Sequence, residues 1–303
     1  MLKKRSQVVV VGCGLMGSAI AKALSASGVE VVAWNRNPDA ADQLAEFGVT
    51  PERSLEAALR SSSCVVVVLS NYDICSSVLS PHQSLLRGKV VVNLSSGTCE
   101  QADEFGRWIR GVNADYLDGS IWALPKGIGE LGTCLSYSGS RSAWERWYPV
   151  LKVLGGTSRY VGERFGAANA LEAAFPGTFY MTAILSFIEG VALCRAYEIS
   201  DEVVLDSIDP TMELLRSGLL QTMQKVSIKD YSTNQATLKV FQDAVSSYQR
   251  NALSPVKDSP LSTALRQTLE QACSTGMRDK DVAATINRWG IPQLTSNASL
   301  PVA

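Results

Sequence analysis

Three glycines in the run Gly12-Cys13-Gly14-Leu15-Met16-Gly17 have the spacing G-x-G-x-x-G. That spacing cradles an anion when a strand runs into it and a helix leaves it. The first glycine permits the tight turn, the second lets backbone approach a pyrophosphate, and the third lets helix and strand pack closely, so that the helix N-terminus faces the phosphates. An apolar run at 8–11 precedes the glycines and an amphipathic stretch at 16–27 follows them. About twenty residues on, where a carboxylate would accept from the ribose of NAD, the chain has Asn35-Arg36-Asn37. A guanidinium there can pair with a 2′-phosphate, and no carboxylate is present to repel it. The cofactor expected from these residues is NADPH (NADP+). Leu15 and Met16 in the loop, and Leu69, Ser70, Ser95 and Ser96 at the ends of later apolar runs, complete the expected cofactor set.

Other chemistries find little support. The single histidine, His82, lies in a Pro-His-Gln-Ser stretch that reads as an exposed turn, which disfavours a Ser–His–Asp triad. The seven cysteines are scattered and never spaced C-x-x-C, which suits reduced thiols in a cytoplasmic protein and disfavours a disulfide frame or zinc site. No metal is expected. Lys and Arg total 28 against 29 for Asp and Glu, a net charge of −1, so no positive field draws the chain to nucleic acid.

Residues 7–161 alternate short β-branched runs (7–11, 30–34, 64–69, 89–94, 115–117, 133–138, 158–161) with helical patterns (16–27, 39–47, 55–61, 101–110, 143–154). Several runs are continuously apolar, as expected of strands covered on both faces. The pattern predicts an α/β Rossmann domain with a doubly wound, mainly parallel sheet at 1–163. A long apolar interdomain helix follows at 164–196, then an all-α domain at 197–303 for dimerisation and substrate binding, with helices near 202–224, 235–251, 259–275 and 280–288 and a frayed tail from Pro292. The apolar stretch 173–194 is interrupted by Pro176 and Glu189 and reads as a buried helix, with no membrane association expected.

The glycine loop, Asn35-Arg36, the turn Leu94-Ser95-Ser96-Gly97-Thr98, Lys229-Asp230-Tyr231 and above all the segment from Asp118 through Gly119-Ser120-Ile121-Trp122-Ala123-Leu124-Pro125 to Gly129 resemble the 3-hydroxyacid dehydrogenase superfamily, and within it the imine reductases and reductive aminases. The resemblance covers nearly the whole chain. Related hydroxyacid dehydrogenases carry a lysine on the long helix, six residues after a glycine, to polarise a carbonyl. Six residues after Gly166 stands Glu172, and no lysine occurs between Lys152 and Lys225. Imine reductases carry Asp, or sometimes Tyr, at that place, so Glu172 differs in length but not in charge type.

A carboxyl suits a C=N bond, because an imine becomes electrophilic as a cation, which a carboxylate stabilises and a carboxylic acid can generate. Burial beside Phe175 and Phe179 would raise its pKa. The resemblance implies NADPH-dependent hydride transfer to a small-molecule imine, cyclic and possibly of bulky secondary-metabolite type, with Glu172 and Tyr180 as the acting side chains. On α-helical geometry an eight-residue spacing places these two on roughly one face. It further implies Trp122, Met212 and Phe241 as substrate contacts and a homodimer with interlocked helical domains. Against this stand a Glu172 merely paired with Arg164, Ser96 as a cap of the helix begun by Thr98, a 3-hydroxyacid dehydrogenase-like enzyme acting on a carbonyl or alcohol, and a non-catalytic NADPH-binding sensor or assembly protein.

Overall fold

The computed structural model describes residues 7–256 and 259–290. The basic start of the chain and the tail from Pro292 lie outside them. Contacts divide the chain into two compact units, Met1–Phe179 and Tyr180–Ala303.

The first unit is built on eight strands: β1 (Gln7–Val11), β2 (Glu30–Trp34), β3 (Thr50–Pro51), β4 (Cys64–Val67), β5 (Val90–Asn93), β6 (Asp115–Ile121), β7 (Leu135–Gly139) and β8 (Arg159–Gly162). They lie in the order β3-β2-β1-β4-β5-β6-β7-β8, and every pairing is parallel except β6 with β7. The helices are α1 (Leu15–Ala26), α2 (Pro38–Asp42), α3 (Leu55–Ser61), α4 (Tyr72–Leu79), α5 (Cys99–Gly111), α6 (Arg141–Leu151) and α7 (Ala167–Glu172).

The run of four valines in β1 needs a cover on each face because successive side chains point to opposite sides of a sheet. Val8 and Val10 join Ile20, Leu24, Trp144 and Trp147 on one face, while Val9 and Val11 join Leu59, Leu79, Phe105 and Tyr116 on the other. The strand order reverses between β1 and β4, and in open α/β sheets the crevice at the carboxyl ends beside such a reversal is where ligands bind.

The alternation expected from the sequence is therefore present, with informative departures. β6 runs four residues past the expected 115–117, because Asp118, Gly119 and Ser120 pair antiparallel with β7 although none of them is a strand former. Helix α4 has no counterpart in the sequence reading. Its serines hide an apolar face of Tyr72, Cys75 and Leu79, but Asn71 caps it by accepting from the Ile74 amide at 2.9 Å. The stretch 39–47 is not one helix but α2 and a 3-10 turn at Ala45–Phe47.

The apolar helix begins with α7, changes to π winding over Ala173–Tyr180, where Pro176 sits, and resumes as α8 (Met181–Ala196). The α-helical geometry used to relate Glu172 and Tyr180 therefore does not describe this stretch. The second unit continues with α9 (Asp201–Asp206), α10 (Ile208–Ile228), α11 (Leu238–Val256), α12 (Pro260–Ala272) and a 3-10 segment Val282–Trp289. The expected helix 202–224 is broken between α9 and α10. The reading of 173–194 as a buried helix is also corrected. No residue of α8 is buried, and by length and composition Ala167–Ala196 could cross a bilayer.

Tyr137 on β7 is fully buried, and its ring centroid lies 5.1 Å from that of Trp144, yet its hydroxyl has no hydrogen-bond partner. An unpaired buried hydroxyl costs about 1–3 kcal/mol. Tyr137→Phe is therefore expected to raise unfolding free energy by about 1 kcal/mol in urea titrations. A loss of similar size would show that the hydroxyl is bonded in solution.

Candidate active site

The cleft at the reversal has a volume near 640 Å³ and is lined by the glycine loop, the ends of β2, β4, β5 and β6, and Glu172 from α7. Gly12, at φ +105°, occupies backbone space in which a Cβ would strike the Val68 carbonyl, and a Cβ on Gly17 would strike the carbonyl of Gly12. Gly14 is different: nothing lies within 4 Å of where its Cβ would be, so its open side faces the cleft. It is also the N-cap of α1, and no side chain caps that helix. This leaves the partial positive charge of the helix N-terminus available to a phosphate. These three glycines thus fit a pyrophosphate in the roles expected of them.

Asn35 holds the loop from behind: its Oδ1 accepts from the Cys13 amide at 3.0 Å and its Nδ2 donates to the Asn37 carbonyl at 2.9 Å. Asn37 caps α2, and Arg36 is exposed at the cleft with no ion pair among the described residues. The donor set suits a 2′-phosphate. Leu69, Ser70, Ser95 and Ser96 also line the cleft, as do Leu15 and Met16. Ser95 is buried and braces it, its Oγ accepting from the Leu69 amide at 2.9 Å. Ser96 is not the cap of α5. Thr98 caps it in a reciprocal box with Gln101.

Glu172 ends α7 with its carboxyl half-buried at the cleft, and burial holds its pKa above the usual carboxylate range. Pairing with Arg164 is excluded, since that guanidinium bonds Asp103 at 3.1 Å, and Glu172 forms no ion pair among the described residues. Phe175 and Phe179, just beyond it in the chain, are 50% and 40% exposed. Trp122 does not line the cleft. It donates to Ser120 Oγ at 3.2 Å, packs on Phe175, and carries the Arg159 guanidinium 4.9 Å from its ring centroid. Tyr180, Met212 and Phe241 belong to the second unit and are exposed there.

Sequence reasoning missed the polar cluster beneath this floor. Asp118 on β6 is wholly buried, and its Oδ1 accepts from the hydroxyls of Tyr72 and Tyr116, each at 2.6 Å. Asn169 of α7 donates to Tyr72 Oη at 2.9 Å and to the Thr98 carbonyl at 3.2 Å. A carboxylate at Asp118, within the fully buried run Tyr116–Ser120 of β6, is the signal that marks it.

Residues 7–162 match the family model described as the NAD binding domain of 6-phosphogluconate dehydrogenase, which defines the class of the first unit. Over the whole length the chain is 25% identical to an NADPH-dependent reductive aminase of Aspergillus oryzae, covering 93% of this chain and 96% of that one. Among solved structures it is similar to an imine reductase from Myxococcus stipitatus in complex with NADP+ (29% identity, 93% and 99% coverage, TM-score 0.84). It is similar also to one from Bacillus cereus (27%, 94% and 99%, TM-score 0.85). The chain belongs to this family of nucleotide-binding domains, and over its whole length it is similar to reductive aminases and imine reductases.

Arg36→Ala is expected to weaken NADPH binding by about ten- to a hundredfold, the worth of a hydrogen bond to a charged group, and to leave NADH binding unchanged. Fluorescence titration with both nucleotides measures this. Equal losses for the two would place Arg36 away from the 2′-phosphate.

Proposed function

We propose that this protein reduces a cyclic imine or iminium with NADPH, and that Glu172 manages the charge on the substrate nitrogen. The observation that carries the reading is a half-buried carboxyl, free of any cationic partner among the described residues, in the same cleft as the glycine loop. A carbonyl needs a cation or proton donor beside its oxygen. An iminium is itself the cation, so an acidic residue matches the activated C=N group and a lysine would oppose it.

NADPH bound in the cleft would supply a hydride to the C=N carbon. The chain's own residues provide the rest. Gly12, Gly14, Gly17 and the free α1 terminus hold the pyrophosphate, Arg36 with Asn35 and Asn37 holds the 2′-phosphate end, and Leu69, Ser70, Ser95 and Ser96 shape the wall. Glu172, retaining its proton above the ordinary carboxylate range, gives that proton to an imine nitrogen. The resulting carboxylate stabilises the iminium until reduction leaves a neutral amine, and water returns the proton. For a preformed iminium no proton is transferred and the carboxylate acts by charge alone.

Tyr180 assists at the nitrogen in this reading, and Met212 and Phe241 line the substrate side. Trp122, stiffened by Ser120, Phe175 and Arg159, is outside the cleft lining and takes no substrate contact in this reading. Chain regions 1–163, 164–196 and 197–303 serve as nucleotide domain, connecting helix and helical domain. Exposed Ile184, Leu185, Phe187 and Ile188 on α8 support a homodimer with interlocked helical domains, because an apolar helix uncovered in one chain needs a cover. The seven free cysteines favour a cytoplasmic location.

Glu172→Gln is expected to lower turnover on cyclic imines about 10²–10⁴-fold, the usual worth of a general acid–base group, with NADPH affinity unchanged. In the wild type kcat/KM for an imine should fall as pH rises through the raised pKa of Glu172, since the proton-bearing form is then lost. A glutamine variant with wild-type turnover and pH profile would remove Glu172 from the chemistry.

A further inference from the structure

The buried cluster under the cleft does more than satisfy hydrogen bonds. Asn169 stands three residues before Glu172 on α7, and residues three apart share a helix face. The Asn169 amide is tied to Tyr72 Oη, and Tyr72 Oη to Asp118 Oδ1, so an unbroken chain of two hydrogen bonds runs from the β6 floor to the turn bearing Glu172. Tyr72 can reach this position because Gly97 has no Cβ. A methyl group there would overlap the tyrosine ring. Asp118 Oδ2 is buried without a partner, and with Oδ1 already accepting twice, Oδ2 is where a proton on this carboxyl would sit.

We propose that Asp118 is a positioning residue for the reaction. Through Tyr72 and Asn169 it fixes the helical turn that carries Glu172. The inference rests on the reading of Glu172 given above. The groups facing Asp118 are Tyr116 on its own strand, Tyr72 and Cys75 from α4, Asn93 from β5 and Glu172 from α7, and none is cationic. Burial pushes the Asp118 carboxyl up to about 7, the two tyrosines and Asn93 pull it back, and the charge of Glu172 adds to the rise. Removing the charge of Glu172 therefore takes away one of the causes of that rise.

Two measurements test this. Carboxyl 13C NMR titration of the full chain, wild type and Glu172→Gln, reads the coupling without any activity. The Asp118 signal should titrate at lower pH once Glu172 carries no charge, and an unmoved midpoint overturns the proposed coupling. Steady-state kinetics on a cyclic imine reads the positioning. Tyr72→Phe keeps the ring that packs on Phe105 and removes only the hydroxyl. Asn169→Ala cuts the same link from the other end. Each should lower kcat about tenfold or more, as small misplacements of an acting group do, while NADPH affinity and the substrate KM hold.

The double variant should lose no more than either single one, because both break one link. Wild-type kcat in the single variants or multiplicative losses in the double would each overturn the proposal. If Glu172→Gln keeps full activity while the NMR coupling is present, the assigned role of Glu172 fails and the coupling of the two carboxyls stands.

Discussion

The nucleotide cleft depends on how closely helix α1 approaches strand β1. The backbone of Gly17 lies where a Cβ would collide with the Gly12 carbonyl, and Gly12 is pressed against the Val68 carbonyl at the end of β4. With side chains at either place the helix would stand off the sheet and its N-terminus would no longer face the crevice. The four buried valines of β1 fix the strand against which that approach is made, since each of its faces is packed by a separate cluster. Steric closeness in the first βα unit is thus what turns a helix dipole into a binding feature.

A second constraint is electrostatic. The carboxyl end of the sheet gathers two acidic side chains, Asp118 and Glu172, with no described cation between them to neutralise either. Enzymes that polarise a carbonyl place positive charge at such a point. Here the protein keeps carboxyls partly out of water, which raises their hold on a proton. The hydroxyls of Tyr72 and Tyr116 temper that effect at Asp118 by donating to it, and the same bonds draw α4, β6 and α7 into one polar joint.

The two units differ in how they are stabilised. The first is a sheet covered on both faces, with aromatic packing around Tyr116, Phe105 and Phe165. The second buries a small cluster around Leu238, Leu269 and Ala272. Polar links supplement it: Glu189, midway along α8, accepts from Ser259 Oγ at 2.7 Å and from the Leu261 amide at 3.2 Å at the start of α12. The glutamate that interrupts an otherwise apolar helix therefore satisfies a helix terminus.

Much of this was readable in the sequence because it depends on local rules. Glycine spacing, β-branched runs and the absence of a carboxylate near Arg36 dictate a nucleotide-binding α/β unit and its cofactor whatever surrounds them, since backbone sterics and charge act over a few residues. The tertiary structure alone decided the rest. It extended β6 through Asp118, Gly119 and Ser120 by pairing them with β7, and it gave Arg164 to Asp103, leaving Glu172 free. It wound the helix after Glu172 as π turns, and it joined Tyr72, Tyr116, Asp118 and Asn169, up to 97 positions apart in the chain. Burial and hydrogen-bond partnership between distant segments are set by the whole packing, and no window of sequence contains them.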